Sequence, residues 1–241
     1  MASVSFSFSF WLIISLLIVL GIASYLAGKL TPLASVIGVL IAVLIYAGAG
    51  LAAVIMLAIF FVLGTFATSY KKDYKQKMRL ADAAESRRNL GQVFANAGVP
   101  GILALANIVT GYTQPLLLVM VAASFASAMG DTLSSELGNV YGRNFYNAFT
   151  LKKDERGLNG VISVEGTVFG ILGSLLIGVI HANFYGWNFA LFVITISGIV
   201  GNLSDSLLGA LFERKGYLGN DAVNFLNTAI AAIVAFLLMR L

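Results

Sequence analysis

The chain has 241 residues, of which 59% are hydrophobic and only 11% charged, and its mean hydropathy is +0.91. A soluble domain carries about 25% charged residues, so a water-covered globule and a disordered chain are both excluded, and the composition is that of an integral membrane protein. There is no cysteine and a single histidine, His181, which removes disulfides, thiolate nucleophiles, cysteine–zinc sites and HExxH metal sites. The net charge of +4 reads as a membrane-topology signal, with no nucleic-acid partner expected.

A spanning helix needs about 20 mostly apolar residues. The apolar runs predict an all-α, polytopic transmembrane bundle of about eight helices, at residues 8–28, 33–47, 51–68, 94–110, 115–130, 163–180, 187–206 and 222–239. The sequence YAGAG at 46–50 is either a turn between two helices or a flexible point in one long helix, so seven is the alternative count. The first segment does not read as a signal peptide, since no charge precedes its long apolar stretch. Residues 1–68 form an N-terminal group of helices, 69–93 a basic cytoplasmic loop or interfacial helix, and 94–241 a transmembrane core that carries the polar motifs.

Charge tests the eight-helix reading. With residues 69–90 inside, 14 of the 15 Lys and Arg residues fall on the cytoplasmic side and only Arg240 falls outside. Both termini then face out. All 11 acidic residues lie on the cytoplasmic side or at cytoplasmic helix ends, which places the expected chemistry at that face. A multi-pass protein of a prokaryotic inner (plasma) membrane is expected. Within 69–90, Tyr70, Tyr74 and Met78 recur every four residues beside Lys71, Lys75 and Arg79. That spacing predicts a basic amphipathic helix on anionic lipid, or a platform for a lipid head group.

Four carboxylates adjoin apolar runs: Asp131, Glu136, Glu165 and Asp205. Acids in or near hydrocarbon cost about 2.5–3.5 kcal/mol at mid-helix and are functional candidates by default. In GDTLSSELG (130–138), a continuing helix puts Asp131 and Ser135 on one face and Glu136 about 140° round, an offset that suits the two acids to different partners. The stretch GLNGVISVEGT (157–167) runs from a Gly-rich loop into a helix, an arrangement that presents backbone N–H groups to phosphate. Lys152, Lys153 and Arg156 precede it, and no Walker motif occurs. Gly166 and Gly170 form a GxxxG pair, which predicts close helix packing. GNLSDSLLGA (201–210) repeats the acid at another helix end, and its DSL echoes the earlier DTL. Asn220, Asn224 and Asn227 then fall on one helix face. In RRNLGQVFANAG (87–98), Asn96 enters the membrane edge, where its amide needs a partner. Each acid also has a structural reading: Asp131 capping a helix or pairing with Arg143, Asp205 pairing with Arg214, Glu165 favoured by a helix N-terminus. Together, carboxylates suited to Mg²⁺, basic groups and N–H donors suited to phosphate, and an apolar bundle suited to a lipid tail suggest phosphoryl transfer to a lipid phosphate.

These motifs, with NDAVNFLNT (220–228), resemble in order and spacing the phytyl-phosphate kinase family, which includes the transmembrane-protein-19 group. The resemblance covers about residues 87–239. Glu165 stands where the family pattern has an apolar or small residue, and ANAG (95–98) replaces ANGG. The resemblance implies an isoprenyl-monophosphate kinase that converts a phytyl- or geranylgeranyl-type phosphate to the diphosphate with a nucleoside triphosphate, CTP being the expected donor. On that reading Asp131 and Asp205 hold Mg²⁺ with Glu136 as a ligand or neighbour. Asn159, Gly160 and Ser163 bind triphosphate oxygens. Arg88, with Arg143, Lys152, Lys153 or Arg156, holds the acceptor phosphate. Asn96, Ser135, Thr167, Ser206 and Asn224 complete the set expected to touch substrate or nucleotide. The rival readings are a CTP-dependent lipid cytidylyltransferase, which would release pyrophosphate, and a lipid or ion transporter, whose site would sit nearer the midplane. The sequence leaves the oligomeric state open.

Overall fold

The computed structural model describes residues 8–78, 87–111 and 114–241; Arg79, Asp82 and Glu85 of the basic loop lie outside them. The chain forms helices α1 (Phe8–Leu26), α2 (Pro32–Ser69), α3 (Lys72–Lys77), α4 (Leu90–Thr110), α5 (Pro115–Tyr141), α6 (Val164–Tyr185), α7 (Phe189–Leu208) and α8 (Asn220–Leu238). A π-helical turn, Gly209–Glu213, continues α7, and two-residue strands β1 (Tyr146–Asn147) and β2 (Val161–Ile162) pair antiparallel in the long loop before α6. Among the described residues, seven helices are long and apolar enough to cross a membrane.

One of the seven crosses twice. A straight helix of the 38 residues in α2 would run about 57 Å, against a hydrocarbon core of about 30 Å. At Gly50 the backbone turns to φ 79°, ψ −174°, a region open essentially to glycine alone. Lys29, just before α2, donates from Nζ to the Ser69 hydroxyl at its far end, at 3.4 Å. The ends therefore meet, and α2 is two antiparallel arms, residues 32–49 and 51–69. The YAGAG stretch is a turn, and the described residues make eight crossings.

Packing in lipid rests on close backbone approach, because lipid tails are as apolar as the side chains they would displace. Helix α5 is central, flanked by α2, α4, α6, α7 and α8, and every residue from Val121 to Gly130 is buried. Small residues interleave around it. A Cβ on Gly166 would stand 2.8 Å from the Ser134 carbonyl, one on Gly198 would stand 2.6 Å from the Ala126 Cβ, and one on Gly170 would strike the Asn202 amide. The GxxxG pair thus seats α6 on α5, as its spacing predicts.

Helices α5 and α7 run parallel, separated in sequence by the return crossing of α6. Asp131 and Asp205 each lie sixteen residues beyond the first residue of their helix, about 24 Å along it, so both reach one depth. Helix α5 continues past Gly130, where the apolar run stops, to Tyr141. Its last turns are polar and line a cavity at this end of the bundle, and an apolar-run reading stops short of them.

The basic loops converge at one end of the bundle. Leu30 bridges to Arg88, Tyr70 and Tyr141 share a hydroxyl–hydroxyl hydrogen bond of 2.7 Å, and Arg214 pairs with Asp154 at 2.7 Å. The amphipathic helix predicted over 69–90 is not continuous in its first part, and 79–86 lie outside the described residues. Helix α2 ends at Ser69, Lys71 adopts a left-handed φ of 49°, and only the six residues of α3 are helical among those described in the loop. Lys75, placed on the charged face by the sequence, is instead buried.

Candidate functional site

A polar cavity of about 360 Å³ opens at this end, walled by α4, α5, α7, the start of α8 and the loop 157–163. Asp131 and Asp205 enter it from the parallel helices α5 and α7, their carboxyls within hydrogen-bonding reach of one another. A relay fixes Asp205: Ser127 donates to Asn227 Oδ1 (3.0 Å), and Asn227 Nδ2 donates to Asp205 (2.7 Å). Ser134 donates to Asn202 Oδ1 (3.1 Å), tying α5 to α7 one turn away. The π-helical turn after Asp205 carries Glu213 back to the cavity wall. Such single turns recur at functional sites.

Glu136 also lines the cavity, and it serves the different partner that its angular offset predicts. Its Oε2 accepts from Lys75 Nζ at 2.6 Å, and the same ammonium donates to the Ala67 and Thr68 carbonyls at the end of α2. Lys75 is 1% exposed, so α3 is anchored beneath the cavity mouth by one saturated cation.

Arg88 stands at the opposite chemical pole. Its guanidinium lies over the Phe60 and Phe61 rings, 5.1 and 5.5 Å from their centroids. Burial pushes its pKa down to about 10, which leaves it cationic near neutral pH. The two ion pairs among the described residues are Lys75–Glu136 and Arg214–Asp154, so Arg88 faces the cavity with no carboxylate at ion-pair distance, and the Glu136 charge acts on it only through space. Asn96 donates to the Gln92 carbonyl at 2.9 Å. Its own carbonyl loses its usual helical donor because residue 100 is proline.

The Gly-rich loop is held by backbone contact. Gly160 has φ 73°, and a Cβ there would strike the Ala210 nitrogen of the π-helical turn. Arg214 Nε donates to the Asn159 carbonyl at 3.0 Å and Arg214 Nη1 to Asp154. The Arg214 guanidinium beside Asp154 holds that carboxyl below the usual carboxylate range. Ser163 caps α6 by accepting from the Gly166 N–H at 3.1 Å, so its hydroxyl is engaged in the helix end.

Of the residues singled out by sequence, Arg88, Asn96, Asp131, Ser135, Glu136, Asn159, Gly160, Ser163, Thr167, Asp205, Ser206 and Asn224 line the cavity. Arg143, Lys152 and Lys153 do not line it; they are exposed on the loop between α5 and α6. Arg156 is used structurally, donating to the Asn139 carbonyl and to the Tyr74 hydroxyl. Glu165 stays outside the cavity lining and accepts from the Arg143 backbone N–H at 3.4 Å. The pairings Asp131–Arg143 and Asp205–Arg214 do not form, since the acids meet each other and Arg214 goes to Asp154. The set expected to touch substrate or nucleotide leaves out Gln92, Thr132, Ser134, Asn139, Asn202, Glu213 and Asn220, all on the cavity wall. Helical spacing places Ser134 beside Asp131, and the same spacing applied to Asp205 would have found Asn202, three residues before it. Nothing in the sequence signals the π-helical turn that brings in Glu213.

Comparison with known proteins agrees with this architecture. The family model described as "Integral membrane protein DUF92" matches residues 15–232, which extends the likeness well into the N-terminal helices. An uncharacterised membrane protein of Methanocaldococcus jannaschii, MJ0933, is 35% identical over 184 residues, covering 76% of this chain and 75% of the relative. Protein VTE6 of Arabidopsis thaliana, chloroplastic, is 32% identical over 200 residues, covering 79% of this chain and 60% of the plant protein. An uncharacterised membrane protein of Synechocystis, sll0875, is 28% identical over 200 residues, covering 80% and 76%. No solved structure matches the chain. A bundle of eight crossings whose ordered polar motifs converge at one end, matched by this model over nearly its whole length, belongs to the DUF92 family of integral membrane proteins.

Proposed function

We propose that this protein is an isoprenyl-monophosphate kinase working at the cytoplasmic face, with CTP as the phosphoryl donor and a phytyl- or geranylgeranyl-type phosphate as acceptor. The observation that carries the reading is the meeting of Asp131 and Asp205, 74 residues apart in sequence, in one cavity with an unpaired arginine. The resemblance of the motifs to the phytyl-phosphate kinase family and the kinship with a chloroplast protein support it. The gathering of nearly all basic residues at the cavity end supports the cytoplasmic orientation.

The donor set suits Mg²⁺. Among the described residues no group of three carboxylates or imidazoles could hold a metal ion, and Mg²⁺ is commonly held by one or two carboxylates together with substrate phosphates. Asp131 and Asp205 would supply the carboxylates. The chemistry such an ion supplies is neutralisation of charge on the phosphate oxygens. The relay from Ser127 through Asn227 fixes the direction of the Asp205 carboxyl before any ligand arrives. Arg88 holds the acceptor phosphate, and the loop 157–163 positions the triphosphate. An acceptor oxygen forms a bond to the γ-phosphorus as the bond to the β-phosphate oxygen breaks, giving isoprenyl diphosphate and CDP. The acceptor is already anionic, so no strong base is required, and the contribution of the protein is positioning and charge compensation.

The test is product analysis by mass, with purified protein, Mg²⁺, CTP or ATP, and geranylgeranyl phosphate in detergent. Isoprenyl diphosphate with CDP or ADP is the expected result. A CDP-lipid with pyrophosphate would identify a cytidylyltransferase instead, and no turnover with any isoprenyl phosphate would refute the kinase reading.

A further inference from the structure

A second cavity, about 370 Å³ and almost wholly apolar, lies between α1, the two arms of α2 and α4. Arg88, Gln92 and Asn96 line both this groove and the polar cavity, so these three side chains form one polar gate between the two. The gate is built. Arg88 N–H donates to the Lys29 carbonyl (2.9 Å) and the Arg88 carbonyl accepts from Thr31 N–H (3.1 Å), which pins its backbone to the loop before α2. Gly64 leaves the guanidinium its room, since a Cβ there would stand 2.6 Å from Nη2.

From Arg88 the groove follows the second arm of α2 back to Leu51, beside the Gly50 turn. Along that arm residues 51–62 extend about 16 Å, roughly half of the 30 Å hydrocarbon core. The volume is at the lower end of the range for one small-molecule ligand, about 300–1,000 Å³. A lone cation at the mouth of such a slot complements an anionic amphiphile, with charge at the gate and hydrocarbon behind it.

We infer that this groove is the binding site for the single hydrocarbon tail of the acceptor, an isoprenyl monophosphate whose phosphate rests on Arg88 and whose chain runs between α1, α2 and α4. The identity of the head group rests on the proposed kinase reading; the tail site does not. The acceptor then approaches from the bilayer side, while the nucleotide enters from water through the polar cavity.

Gly38, on the first arm of α2, makes the test clean. It lines the groove, and a Cβ added there meets nothing within 4 Å, so a larger side chain enters the groove rather than a neighbouring helix. The probe is a geranylgeranyl phosphate analogue with a photoreactive diazirine on its tail, cross-linked to the full-length protein in phosphatidylcholine nanodiscs and mapped by mass spectrometry. Adducts are expected on groove residues such as Leu17 and Phe61. Geranylgeranyl phosphate is expected to displace them, dimethylallyl phosphate to fail for want of a tail, and Gly38→Phe to cut labelling tenfold or more with an unchanged melting temperature. Adducts spread over the lipid-facing perimeter would overturn the inference. So would undiminished labelling of Gly38→Phe, or displacement by phosphatidic acid as effective as by geranylgeranyl phosphate, which would mark the groove as a bilayer-phospholipid site. Turnover in the same preparation separates the two readings. A labelled groove without phosphoryl transfer refutes the kinase and leaves the tail site standing, whereas transfer with adducts elsewhere does the reverse.

Discussion

Replacing Lys75 by methionine removes one cation from beneath the cavity mouth while keeping most of the buried stem. Lys75 Nζ has three protons and three acceptors, the carbonyls of Ala67 (3.0 Å) and Thr68 (2.9 Å) and the Glu136 carboxylate (2.6 Å). The variant leaves Glu136, 25% exposed, without its counter-charge and strips two carbonyls at the end of α2 of their donor. Removing one member of a buried pair costs about 3–5 kcal/mol. Glu136→Gln keeps an acceptor for the ammonium and removes only its counter-charge, so it is expected to cost less than Lys75→Met. The double variant Lys75→Met/Glu136→Met leaves no charge stranded, and such replacement of a whole buried pair is often close to neutral. Denaturant unfolding in detergent, followed by circular dichroism, measures all three. The reasoning fails if Lys75→Met lies within about 0.5 kcal/mol of the parent, the range of ordinary surface substitutions, or if the double variant is no more stable than Lys75→Met alone.

Asp131→Asn is expected to abolish phosphoryl transfer while leaving expression and melting temperature at or above the parent values, because it removes one of two carboxylates that meet directly; an active variant, assayed by product mass, would remove the metal assignment. Gly160→Ala has to abandon a φ of 73° and collides with the Ala210 backbone, so the loop shifts and turnover falls at least tenfold with helix content unchanged by circular dichroism. Asp154→Asn is expected to lower the melting temperature near neutral pH. The depressed pKa of Asp154 means that its contribution is complete above the unfolded carboxylate pKa and is lost as pH falls through the folded value. The difference between parent and variant therefore fades only in strong acid, and a difference that grows on acidification would contradict the assignment.

The spans were legible in the sequence because hydropathy and the charge bias act on whole segments. Even the Gly50 turn showed as a glycine-rich break, though only the contact between Lys29 and Ser69 decides between turn and flexure. Asp131, Asp205 and Arg88 were legible because a charged or polar group at the membrane edge is costly and therefore conspicuous. Lys152 and Lys153 misled because adjacency in sequence to the Gly-rich loop does not bring them to its cavity side; both are exposed on the stretch between β1 and β2. The burial of Lys75 was hidden because its partner, Glu136, is 61 residues away, and periodicity reports only neighbours on one helix. Glu213 was hidden by a departure from the α-helical period itself.

The parallel course of α5 and α7 gives the two aspartates a single address. Internal repeats of opposite orientation, the device of many carriers, set equivalent side chains toward opposite compartments so that they can exchange exposure. Here the echoing DTL and DSL segments descend in the same direction and stop at the same level. Both acids therefore open to the same end of the bundle, and the arrangement is that of a fixed bench at the membrane border rather than of a pair of alternating doors.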